Sequence, residues 1–347
     1  MRKHIIYINI INIIAIFAVC TIHVSHELME QLPGLLSAWW TGNMASSLSR
    51  FAVPIFIMCS GAMLMTPGRI GSVGNFYVKR LPKLVIPLLS WSFIYYFVRK
   101  IFFGEYPFGI EKFLKKIASC ELVGHFWFSY MLIQVYLAVP FLFAIFYTAP
   151  RAMLAIFFGL FFFFESITPI LVYFFDFHYL LMNTIFTQYV AFFVLGMVLS
   201  RVQVKGRWKQ WLLIWVYLLC SGAIAWGTWR LKLINSAEPY LFMQYESPGV
   251  VAQAVALFLL LESFSWERLA HYADCLARIS GATYGIYLCH ILVRDLWQAG
   301  GLGVANLAQQ LPMPALGLAA SIFLVYLGSF ILVTVLRAIP FLRWIVY

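Results

Sequence analysis

The chain of 347 residues is 63% hydrophobic and only 11% charged, with a mean hydropathy of +0.88. Soluble domains carry roughly a quarter charged residues, so a water-soluble fold is excluded. A net charge of +11 would suggest a nucleic-acid partner in a soluble chain. Here it reads as basic loops on the cytoplasmic face of a membrane protein, and no nucleic acid is expected.

The first apolar run, 5–24, is long enough to cross a hydrocarbon core of about 30 Å as a helix. Arg2 and Lys3 before it imitate the start of a secretory signal. The run is too long for one, and Ser25-His26-Glu27-Leu28 offers no small-residue cleavage site, so a retained first helix is expected. Further apolar stretches follow at 44–66, 83–103, 126–147, 152–175, 180–200, 211–231, 248–264, 282–298 and 315–337. Asp176 and His178 are the only polar break between the fifth and sixth. The pattern predicts an all-α membrane protein: a single domain over 1–347, a bundle of about ten transmembrane helices with both termini cytoplasmic. With that orientation, the loops on the N-terminal side hold the larger share of the 24 basic residues, including Arg69, Lys79, Arg80, Lys83, Arg201, Lys205 and Lys209. Residues 104–124 mix glutamates with lysines and read as a short amphipathic helix at the outer surface. Cys20, Cys59, Cys120, Cys220, Cys275 and Cys289 form no CxxC pair; they read as buried free thiols, with neither a disulfide framework nor a metal site.

A titratable group at bilayer depth is costly and is a functional candidate. His23 falls at the outer end of the first helix, eleven residues after Asn12 and so on nearly the same face. It reads either as an interfacial histidine or as a general base for a hydroxyl. Arg50, at the outer start of the second span, reads either as a lipid-phosphate contact or as an oxyanion clamp beside His23. Pro54, Ser60 and Gly61 downstream predict a kinked helix that a neighbour approaches closely. The loop 68–87 places Arg69, Lys79, Arg80 and Lys83 among glycines without the GxxxxGK[ST] pattern, so it is either a solvated basic loop or a site for a phosphorylated cytosolic donor. His125 and Trp127 open the fourth span. Glu165 lies deep in the fifth, and Tyr287 precedes His290, which the spacing puts in mid-membrane with Arg294 and Asp295 just beyond.

A first helix ending in His23 is followed in order by SRFAVPIFIMCSG (49–61), KRLPKLVIP (79–87), HFWFSYMLIQVYLAVP (125–140) and GATYGIYLCH (281–290). Together these resemble bacterial integral-membrane acyltransferase family 3, in its membrane-only type, and are similar to the enterobacterial enzymes that O-acetylate surface polysaccharides. The resemblance implies an acyl group taken from cytosolic acyl-CoA, most simply acetyl-CoA, as co-substrate with no bound cofactor. It also implies transfer across the bacterial inner membrane to a hydroxyl of a lipid-linked or exported glycan. Carried over, His23 and Arg50 are the catalytic pair, and Asn12, Lys79, Arg80 and Lys83 face the donor. Ser60 and Cys59 are candidates for an acyl-enzyme only by proximity. The family usually has an arginine where this chain has Asn12. The competing reading is a transporter or flippase of a lipid-linked glycan; the internal repeats often seen in transporters are not visible.

Overall fold

A computed structural model describes residues 2–32, 34–104, 109–175 and 188–346, and among the described residues there is no strand. The helices in chain order are α1 (Arg2–Gln31), α2 (Leu36–Ser49), α3 (Ala52–Leu64), α4 (Val73–Arg80), α5 (Pro82–Phe103), α6 (Ile110–Ala118), α7 (Trp127–Phe146) and α8 (Arg151–Phe161). They continue with α9 (Thr168–Phe175), α10 (Gln188–Leu199), α11 (Arg207–Leu233), α12 (Pro248–Ser263), α13 (Ala273–Gly281), α14 (Thr283–Ala299), α15 (Val304–Gln310) and α16 (Pro314–Ala338).

Eight stretches of the described chain are long and apolar enough to cross a membrane. The pair α13–α14, bent by 48° around Ala282, makes a ninth if it is one span. The expected sixth stretch, 180–200, falls partly on residues 176–187, outside the described residues. Its described part, α10, is 12 residues long and so too short to span alone.

α1 is the central element, packed against α2, α3, α12, α13, α14, α15 and α16. It does not end at residue 24, as the polar Ser25-His26-Glu27-Leu28 suggests, but continues to Gln31. Nothing in that stretch breaks a helix. The break comes with Pro33, which disfavours helical backbone in the residue before it. His23 therefore sits inside a helix rather than at its end. The 68–87 segment differs as well: Ser72 accepts the Asn75 N–H and caps α4, so Lys79 and Arg80 stand on a helix rather than a loop.

The second span is interrupted at Arg50 and Phe51, between α2 and α3. Pro54 has no N–H to offer the Arg50 carbonyl four residues back, and its ring crowds that carbonyl. Beyond the break, α3 meets α10 at two glycines. A Cβ on Gly61 would lie 1.8 Å from the Phe193 carbonyl oxygen, and one on Gly196 would lie 1.9 Å from that of Met58. The backbones touch, as small residues permit in membrane bundles.

The outside of the bundle is apolar. On α11, Trp211, Trp215, Leu219 and Trp226 are exposed, while Ser221, Gly227 and Thr228 face inward. Such a distribution suits lipid, not water. Four charged groups inside form one network: Arg294 Nε lies 3.2 Å from Glu27, its terminal nitrogen 2.7 Å from Asp295, and Arg99 3.8 Å from Asp295. This network joins α1, α5 and α14. Of the six cysteines only Cys20, Cys59 and Cys289 are buried; Cys275 is exposed, because the amphipathic α13 carries it on its outer face.

Candidate active site

A cavity of about 300 Å³ lies between α1, α3, α5, α7 and α14. That volume is at the lower end of the roughly 300–1,000 Å³ usual for small-molecule sites. α1 contributes Asn12, Val19 and His23, as an eleven-residue spacing on one helical face requires. α3 contributes Cys59 and Ser60, α7 contributes Trp127 and Tyr136, and α14 contributes Thr283, Tyr284 and Tyr287. Arg69 and Arg80 line the same cavity. They also line a second cavity of about 300 Å³ with Gly68, Gly71, Ser72 and Lys79. A continuous lining thus leads from a basic rim, past Asn12, to His23, three helical turns along α1.

Two further imidazole rings gather around His23. Its centroid is 5.0 Å from that of His290 and 6.1 Å from that of His125, and the last two are 4.9 Å apart. His290 therefore lies beside His23, at the same level of the bundle. His290 Nδ1 meets the Tyr287 carbonyl at 2.7 Å, and the Tyr287 hydroxyl donates to the His125 carbonyl. Glu27 follows His23 by one turn and Arg294 follows His290 by one turn, so the ion pair lies directly next to the histidine cluster. Among the described residues, no group of three His, Cys, Asp or Glu side chains is arranged to hold a metal ion.

The chain matches the acyltransferase family 3 model, an acyltransferase domain, over residues 5–334. It belongs to acyltransferase family 3. No curated protein and no solved structure matches it. Membership makes the chain an acyltransferase, and the apolar helices make it a multi-pass membrane protein.

In this acyltransferase, Arg50 does not line the His23 cavity. Its Nε donates to the Met243 carbonyl at 2.6 Å, and its guanidinium lies 4.7 Å from the Tyr245 ring centroid, while Tyr245 itself lines the cavity. Arg50 is nevertheless within electrostatic reach of His23. Asn12 Nδ2 reaches Ser280 Oγ at 3.4 Å, which ties α1 to α13. Lys83, at the start of α5, lines neither cavity. Glu165 stands in a π-helical turn, Phe162–Ile167, within electrostatic reach of Glu246 and Tyr189 rather than on the His23 cavity. Trp127 packs at a tilt against Tyr189 and Tyr245, with centroids at 5.5 and 5.8 Å, and lines the cavity. Sequence reasoning missed Tyr245, Tyr284 and Glu27. Tyr245 is in a loop with no motif around it; the signal for Glu27 was its four-residue spacing from His23.

Proposed function

We propose that this acyltransferase is an O-acyltransferase, most simply an O-acetyltransferase. It takes the acyl group from cytosolic acyl-CoA and places it on a hydroxyl of a lipid-linked or exported cell-envelope glycan across the bacterial inner membrane. The observation that supports this most is the continuous lining from Arg69 and Arg80 to His23. A donor that is anionic at one end and carries a thioester at the other suits a passage basic at one end and imidazole-bearing at the other. Lys79 and Arg80 on α4 face the donor phosphates, and Asn12 offers hydrogen bonds along the way.

In the reaction, an unprotonated His23 nitrogen takes the proton of the acceptor hydroxyl while the oxygen attacks the thioester carbon. The positive charge of Arg50, acting from behind Tyr245, favours the negative tetrahedral oxygen. The carbon–sulfur bond then breaks, and the proton on His23 passes to the leaving thiolate, releasing free CoA.

Membranes carrying the protein, given isotope-labelled acetyl-CoA, should incorporate label covalently into their glycan fraction. A glycan that changes sides of the membrane but gains no label would establish the flippase reading instead. Replacing Lys79 and Arg80 together by Gln should raise KM for acetyl-CoA with less effect on kcat, as loss of uniform binding does. A lower kcat at unchanged KM would put the donor elsewhere.

A further inference from the structure

His290 is fully buried, does not line the cavity, and has no part in the steps above. Its Nδ1 is 2.7 Å from the Tyr287 carbonyl, which can only accept, so the ring proton is on Nδ1. Nε2 is then a lone-pair acceptor, and it is buried with no hydrogen-bond partner. Leaving such an atom unmet is costly, which favours a partner for it at the moment of reaction. Two donor-bearing rings lie near it, His125 with its centroid at 4.9 Å and His23 at 5.0 Å. With centroids 5.0 Å apart and a tilt of 49° the two rings are not hydrogen-bonded as they stand, but a rotation of the His23 ring would bring an N–H to Nε2.

We propose that His290 is a positioning residue whose Nε2 accepts the N–H of His23, which turns the other His23 nitrogen, lone pair outward, to the cavity. The inference rests on His23 being the general base. His125 is the other ring with an unpartnered, buried Nε2. It is as near to His290, at 4.9 Å, but farther from His23, at 6.1 Å, and so is less well placed to orient the base. α14 is built for the task. The Tyr287 carbonyl fixes the His290 tautomer one turn before the ring, as second partners do for functional histidines. When His23 takes the acceptor proton it carries two N–H groups. One delivers the proton to the thiolate, and the other keeps a strengthened, charge-assisted bond to the neutral His290.

The test compares two amides at position 290. A Gln side chain can present its oxygen near the place of Nε2, whereas Asn reaches only the place of Nδ1. Initial rates of label transfer from acetyl-CoA to the glycan fraction are measured at equal protein levels, with His23→Ala in parallel. His290→Gln should keep kcat within about tenfold of wild type. His290→Asn should lose about a hundredfold or more in kcat, with KM for acetyl-CoA unchanged, because the base is then misoriented. Equal rates for the Gln and Asn variants, or a rise in KM that accounts for the loss, would overturn the positioning role while leaving His23 as base. Full activity of His23→Ala would instead overturn the reading on which the inference rests. If His290→Asn does not accumulate, His290→Gln alone decides: a hundredfold loss of kcat in a stably folded Gln variant refutes the proposal, and retention supports it.

Discussion

Asn12 is placed on the passage between the basic rim and His23, with only a long 3.4 Å contact to Ser280 holding its amide. A polar group at that depth is met either by protein or by substrate, since lipid offers it nothing. Asn12→Leu should therefore lower kcat/KM by about fivefold, the worth of one hydrogen bond of roughly 1 kcal/mol. Asn12→Arg should be tolerated, because the passage is already lined by cations at Arg69 and Arg80. A fully active Leu variant together with an Arg variant that does not insert would remove Asn12 from the donor path; the readout is the same transfer assay at equal protein levels. Asn12 and His23 were legible as a pair because the eleven-residue spacing fixes one helical face whatever surrounds it. The neighbourhood of His23 was not legible. His125 reaches it from the turn just before α7 and His290 from α14, both more than a hundred residues away, and no local pattern encodes such a meeting. Arg50 was found as a residue, but its direction was not, because its bond to the Met243 carbonyl comes from a distant loop.

Helix positions were readable where periodicity and apolar length act alone, as for the ninth stretch, expected at 282–298 and found as Thr283–Ala299. They were misread where polar residues have an internal partner. Ser25-His26-Glu27 looks like the end of α1, yet Glu27 is held by Arg294 and the helix goes on. Pro54 and Gly61 gave a true signal of a broken helix and a close approach, although the partner glycine, Gly196, belongs to a segment with no motif of its own. That contact carries a prediction. A methyl group at Gly61 or Gly196 meets a backbone carbonyl within 2 Å, which no rotamer change relieves. Gly61→Ala and Gly196→Ala should each destabilise the protein by at least about 1–3 kcal/mol, the usual cost of overpacking. Gly222→Ala, where nothing lies within 4 Å, should not. Thermal melts of the detergent-purified variants measure this; equal melting of all three would mean that α3 and α10 are not in contact.

The molecule as a whole is a bundle whose middle helix carries Asn12 and His23, the inner part of the proposed passage. Composition alone excluded a soluble fold and directed the search to polar groups inside the membrane. Among them, Asn12 and His23 stand on one face of α1, and His290 lies beside His23. The passage from the basic rim was not readable, because its walls come from five helices and only Arg69, Lys79 and Arg80 announce one end. In the proposed mechanism, what ties this arrangement to acyl transfer is one nitrogen of His23. Label transfer from acetyl-CoA to the glycan fraction in membranes bearing His23→Ala, at wild-type protein levels, tests it most directly. Activity should fall by about a hundredfold or more, the contribution of a general base. Retention of more than about a tenth of wild-type activity would contradict His23 as the base and, with it, the proposed mechanism.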